Sequence, residues 1–126
     1  MKNKIQEILA GLQKIQFEVV GPFLVADFSQ SHPETFDRIA VGTHGMEKVG
    51  VGEQTEGHTH GFLSVYKSKK LSIVAYGRKY LLPEKALTIV PPGVDHSWVP
   101  NDGSGEVGSS DNQHEKQVIV RQSAVA

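Results

Sequence analysis

Gly52-Glu53-Gln54-Thr55-Glu56-Gly57-His58-Thr59-His60 closes on two histidines one residue apart. In an extended strand successive side chains alternate between faces, so His58 and His60 share one. Two imidazoles side by side make half of a divalent-metal site. The same phase carries on through Phe62, Ser64 and Tyr66, with Leu63 and Val65 facing the other way. Further along, Pro91-Pro92-Gly93-Val94-Asp95-His96-Ser97-Trp98 supplies a third histidine. The prolines and the glycine stop the strand that ends at Val90 and turn the chain sharply. His96 then opens the next strand with Trp98 on its face, and the rigid turn holds the ring in a defined direction. The plainer alternatives are an incidental histidine pair and a half-buried His96 that caps a β-arch.

Around these two stretches the chain reads as short β-prone runs. They are Phe17–Val20, Phe23–Ala26, Arg38–Val41, Glu47–Val51, Phe62–Tyr66, Leu71–Tyr76, Leu87–Val90 and Val118–Val120. Lys67-Ser68-Lys69-Lys70 reads as a hairpin tip and Gly77-Arg78 as a second tight turn. Many short strands without alternating helices predict an all-β sandwich or closed barrel. Two segments stand apart from this pattern. Ile5, Ile8, Leu9, Leu12 and Ile15 recur at helical spacing, which predicts a short amphipathic helix within residues 1–16. It packs either on the domain that follows (17–126) or on a partner. Residues 101–113, NDGSGEVGSSDNQ, have almost no apolar content and are expected to form a long flexible loop.

Composition narrows the chemistry. The 126 residues carry 13 Lys+Arg and 14 Asp+Glu, a net charge of -1, which argues against nucleic acid and against a polybasic membrane arm. With 38% hydrophobic residues the chain can fill one core, and its 13 glycines match a turn-rich β fold. No cysteine is present, which excludes disulfides, thiolate nucleophiles and cysteine-ligated metals. Any metal must be held by nitrogen or oxygen, and six histidines are available. No apolar run reaches membrane length and the N-terminal residues have no secretory pattern, so no membrane partner and a cytoplasmic location are expected.

Taken together, the two histidine stretches resemble the motif pair of the cupin superfamily. Gly52 to His60 match the front half of the first motif, and Pro91, Gly93 and His96 match the centre of the second. The resemblance spans about residues 36 to 100. It implies a double-stranded β-helix, a small jelly-roll barrel, with both motifs converging on a metal inside it. The family's motif glutamate falls here at Ser64 or Val65, and Ser64 keeps the phase of the two histidines. His58, His60 and His96 remain as the metal ligands the resemblance implies. Neutral imidazoles suit Fe(II), Zn, Ni or Mn, and open coordination positions suit a small polar or anionic ligand. Phe62, Ser64, Tyr66 and Trp98 are the expected pocket residues. The resemblance implies a metal-dependent enzyme of dioxygenase or isomerase type, with the catalytic residues unassigned. The alternative is a non-catalytic small-molecule or sugar-binding cupin with a degenerate metal site. Small cupins are often homodimers, and a homodimer is expected here. Glu53 and Glu56 precede the histidine pair as candidate acids near the mouth, or as part of a solvated turn. His32, His44 and His114 read as surface residues.

Overall fold

The computed structural model describes residues 16–29, 33–42, 44–110 and 117–122. The expected N-terminal helix, His32 and His114 lie outside these residues. The described chain is all-β apart from one short helix, and every strand pairing is antiparallel. The strands are β1 (Phe17–Val20), β2 (Phe23–Asp27), β3 (Glu47–Val49), β4 (Glu53–Thr55), β5 (Ser64–Lys69) and β6 (Leu71–Ala75), followed by β7 (Arg78–Leu81), β8 (Lys85–Val90), β9 (Ser97–Pro100), β10 (Gly105–Ser109) and β11 (Ile119–Arg121). A six-stranded sheet runs β1-β2-β8-β5-β10-β3, a three-stranded sheet runs β7-β6-β9, and β11 pairs with β4. No helix among the described residues is long and apolar enough to cross a membrane.

Residue alternation assigns the two faces of the large sheet. On β5, Ser64, Tyr66 and Ser68 point inward, opposite Val90, Thr88 and Ala86 of β8. This face meets the three-stranded sheet across a core that includes Phe23, Val49, Tyr66, Leu71, Ile73, Val90, Trp98 and Val107. Burying side chains of this size supplies about 1.5–3 kcal/mol each, the main drive for folding. The outer face carries a second cluster of Ala26, Phe28, Phe36, Ile39 and Leu87. The helix α1 (Pro33–Arg38) lies over it and inserts Phe36, whose ring meets that of Phe28 at 5.6 Å.

Three expectations change here. Arg38–Val41, read as a strand, instead closes α1 and leads away from it. Pro33 suits the first helical position, Glu34 sits in the first turn and Arg38 in the last. Phe36 and Ile39, three apart, then meet the sheet together. The second change is at Lys67-Ser68-Lys69-Lys70. It is no hairpin tip, because β5 continues to Lys69 and the chain leaves for the other sheet at Lys70, whose φ is 58°. The third is the expected flexible loop 101–113, which contains β10, clamped between β5 and β3. Its inward positions, Gly105, Val107 and Ser109, are too small to show a hydrophobic run. Outward, Glu106 stands opposite Lys69 on one side and Lys48 on the other, so its partners lie on strands remote in sequence.

Two local features yield predictions. The β6–β7 hairpin turns at Tyr76-Gly77, one residue earlier than expected, with φ of 52° and 74°. Both central residues are left-handed, as a type I′ turn requires, but Tyr pays a steric cost there that Asn does not. Because Tyr76 is 69% exposed, little packing is at stake. Tyr76→Asn should therefore raise stability by about 0.5–1 kcal/mol, read as a higher urea midpoint at unchanged m.

The second feature is Lys67, which is only 7% exposed. Its ammonium donates to the Ile39 carbonyl at 3.3 Å and sits 4.6 Å from the Phe36 ring centre. Burial pushes its pKa below the ordinary 10.5; Asp37 opposes the shift, Lys69 and Lys85 add to it, and Glu106 opposes it. The unfolded chain therefore holds this proton to higher pH than the folded one. The cost of the buried cation is full below the folded pKa and fades as pH rises toward 10.5. Lys67→Met should gain about 1 kcal/mol at pH 7. In thermal melts repeated across pH 7 to roughly 10, that advantage should shrink toward the alkaline end.

Candidate metal centre

The centre begins with a backbone bridge. His58 N donates to His96 O and His96 N donates to His58 O, both at 3.1 Å. Residues paired by both of their hydrogen bonds lie directly opposite each other with side chains on one face. The two imidazole centroids are accordingly 4.5 Å apart. The turn before His96 extends the contact. Pro92 and Gly93 occupy its central positions, with Gly93 at φ 79° and Val94 N reaching Pro91 O at 3.5 Å. This is the geometry of a type II turn, and it lets Gly93 N donate to His60 O at 2.8 Å. The segment from Gly93 to His96 thereby holds the backbone of the first histidine stretch at two residues, His58 and His60.

The same backbone orients the rings. His58 Nδ1 donates to the carbonyl of Glu56 at 3.0 Å, and His96 Nδ1 donates to that of Val94 at 2.9 Å. A carbonyl can only accept, so the hydrogen of each neutral ring sits on Nδ1 and the Nε2 lone pair faces the other way. This is how metal-binding histidines are held by their surroundings. His60 joins from two residues on, with its ring stacked on Phe62 at 4.8 Å and 26°. One ligand atom from each of His58, His60 and His96 lies within 4.8 Å of the others, close enough to hold a metal ion. His96 is buried while His58 and His60 are half-buried, so the cluster closes on one side and opens on the other.

The point on which the rings converge is the hydroxyl of Tyr66. Its Oη lies 3.3 Å from His58 Nε2, 3.0 Å from His60 Nε2 and 3.1 Å from His96 Nε2. The phenol ring is fully buried and leans on Trp98, with centroids 5.2 Å apart. Trp98 is itself positioned through its backbone, whose N–H donates to Thr55 Oγ1 at 2.8 Å. Sequence reasoning named Tyr66 as a wall of the pocket. The signal for more was its phase, six residues after His60 on the histidine face, but reach from one sheet to the histidines does not show in phase.

The remaining predicted residues divide. Phe62 borders the open side at 39% exposure, and Trp98 supports the phenol from within. Ser64 is buried, and its Oγ has no hydrogen-bond partner among the described residues. The hydroxyls of Ser68 and Thr88 and the indole nitrogen of Trp98 share that condition. Ser64, Ser68 and Thr88 lie on the inward face that carries Tyr66. Glu53 turns away from the site; its carboxylate accepts from Gly50 N at 2.7 Å and its backbone closes the same turn. Glu56 contributes only its carbonyl, and among the described residues no carboxylate belongs to the cluster. His44 is exposed in a turn away from it. Comparison with protein-family models and with curated proteins gives no match to this chain.

Proposed function

We propose that the chain is a small cupin-type jelly roll whose His58, His60 and His96 hold a divalent transition metal, and that it acts on a small polar or anionic molecule inside the barrel. The observation that carries this reading is the convergence of three Nε2 atoms, two of them with the tautomer set by a backbone carbonyl. The donor set fits the ion. It is all nitrogen and neutral, as Fe(II), Ni and Zn accept, and the rings meet at one point. When bound, the ion would supply Lewis acidity and open positions for a substrate oxygen.

The chain's own residues define what the pocket receives. Ser64, Ser68, Thr88 and the Trp98 indole bring polar atoms into the buried interior without partners among the described residues. Buried polar groups are costly unless hydrogen-bonded, so this lining favours a ligand that carries hydroxyl or carbonyl groups. The half-exposed Phe62 offers an apolar edge at the mouth. Its stacking on His60 holds that ring toward the centre and limits water on that side. Within this reading the enzyme would be of dioxygenase or isomerase type. A second reading, a non-catalytic binding module using the same pocket, is favoured by the cluster's lack of a carboxylate to move protons.

Elemental analysis of tag-free protein tests the centre. One transition-metal equivalent per chain is expected, absent from a His58→Ala/His60→Ala variant. Added metal at 100 times its Kd should stabilise the wild type by about 2.7 kcal/mol and leave the variant unmoved. Trp98 is the only tryptophan, so its emission should fall on loading with Ni²⁺ or Cu²⁺ in the wild type alone. Equal metal content in both proteins would refute the centre. With metal present, turnover of diketones, thiols or aromatic acids with O₂ consumption supports the enzyme. Tight binding without turnover supports the module.

A further inference from the structure

The outer face of the large sheet gathers positive charge at one end. Strand alternation puts Lys67 and Lys69 of β5, Lys85 of β8, Glu106 of β10 and Lys48 of β3 on that face. The register sets Lys85, Lys69, Glu106 and Lys48 in one row across four neighbouring strands. Lys85 and Lys69 are direct partners, and like charges so placed repel each other. The ammonium groups of Lys67, Lys69 and Lys85 crowd one ring, at 4.6, 6.0 and 5.8 Å from the centre of Phe36. The face of that ring attracts cations but carries no charge to cancel theirs. The lysines feel one another: burial first lowers the Lys67 pKa, and Lys69 and Lys85 lower it further against Asp37 and Glu106.

Beside this group lies a surface cleft of about 320 Å³, lined by Lys48, Lys69, Lys70 and Glu106 with Ser104 and Gly105. Three lysines against one glutamate leave an excess of two positive charges. Glu106 stands opposite both Lys69 and Lys48 and can offset only one of them. The adjoining cleft has the opposite balance, because Lys70 shares it with Glu84, Asn101 and Asp102. Counting Glu84 against Lys70, and Lys85 in with the row, leaves the excess at two. The whole chain has a net charge of -1, so the excess is local. Such a cleft attracts a dianion, and a phosphate group carries about −1.5 to −2 charges at pH 7. Lysine suits it as a point charge with three donors.

We propose that this cleft is an anion site in which Lys48, Lys69 and Lys70 hold a phosphate dianion, free or as the phosphoryl group of a small metabolite. It lies on the face of the large sheet opposite to the one that carries Tyr66, so it is separate from the histidine centre. The phosphate oxygens accept from the ammonium groups, while Lys85 and the buried Lys67 add positive potential from behind. Occupancy offsets the repulsion between Lys69 and Lys85, so the ligand stabilises the fold as it binds. Glu106 opposes the anion, and its carboxylate can accept from a hydroxyl beside the phosphate.

Titration calorimetry at low ionic strength, with inorganic phosphate and with glycerol phosphate as probes, tests the site. It compares the metal-free wild type with Lys48→Gln/Lys69→Gln, Glu106→Gln and His58→Ala/His60→Ala. The wild type should bind one equivalent saturably, and the histidine variant should bind equally well. The double lysine variant should bind at least about tenfold more weakly, since each lost ammonium removes a charge-assisted hydrogen bond. Glu106→Gln should bind about threefold more tightly. Circular dichroism of the lysine and glutamate variants should match the wild type. Glycerol phosphate binding more tightly than phosphate assigns a metabolite's phosphoryl group and equal binding assigns free phosphate; both support the site. No saturable binding to the wild type overturns the proposal, as does equal affinity in the double lysine variant. Binding lost in the histidine variant but kept in the lysine variant overturns it too. If the lysine variant folds poorly, amide NMR of the wild type decides. Phosphate should shift Lys69, Ser104 and Gly105, and shifts centred on His58 and His96 instead refute the cleft.

Discussion

Two reciprocal backbone hydrogen bonds between His58 and His96 join segments that are remote along the chain, and the centre depends on them. Because side chains alternate along a strand, this register puts both rings on the interior face, and a slip of one residue would turn one of them outward. The bridge is also what gives the ring orientations their symmetry. Each imidazole donates from Nδ1 to the carbonyl two residues before it, so the two lone pairs are aimed by the same local geometry. The Pro92-Gly93 turn protects the register through a further hydrogen bond to His60 O.

This polar cluster sits at the edge of an apolar core, and the core has been shaped around it. Among the described residues Trp98 and Tyr66 are the largest fully buried side chains, and their rings meet at a tilt with the phenol's polar end left toward the histidines. The aromatic pair stabilises the fold by burial and, through the same contact, fixes where Oη lies. On the outer face the solution is different. There Lys67 is buried against Phe36 under α1, at a cost visible in its lowered pKa. The large sheet thus carries a polar device on each face, one where a phenolic oxygen meets imidazole nitrogens and one with a cation over an aromatic ring.

How much of this could be read beforehand depended on whether the signal was local. β2, β6 and β8 announce themselves through Phe23, Val25, Leu71, Ile73, Leu87 and Ile89, apolar residues in short runs bounded by turn formers. β10 does not, because Val107 is its one apolar inward residue, flanked by Gly105 and Ser109, so no apolar run marks it. The run at Arg38–Val41 misled for the opposite reason. Its apolar residues belong to a helix end that packs on the sheet, and Phe36 and Ile39 show helical spacing only when Pro33 is taken as the start. The three histidines were legible as a group because the spacing of each stretch already suggested shared faces. The part played by Tyr66 was not, since a side chain's reach between elements is a property of sheet packing.

By itself, the sequence determined a cysteine-free β chain, a histidine pair on one face and a third histidine held by a proline-glycine turn. These follow from alternation and from the restricted torsions of single residues, which act over a few positions. Tertiary structure alone decided that the three rings meet, that a phenolic oxygen stands at their meeting point, and that neither Glu53 nor Glu56 brings a carboxylate to it. Such outcomes rest on strand register and on packing between sheets. Each sums many weak contacts between residues far apart in the chain, so no single stretch of sequence contains them.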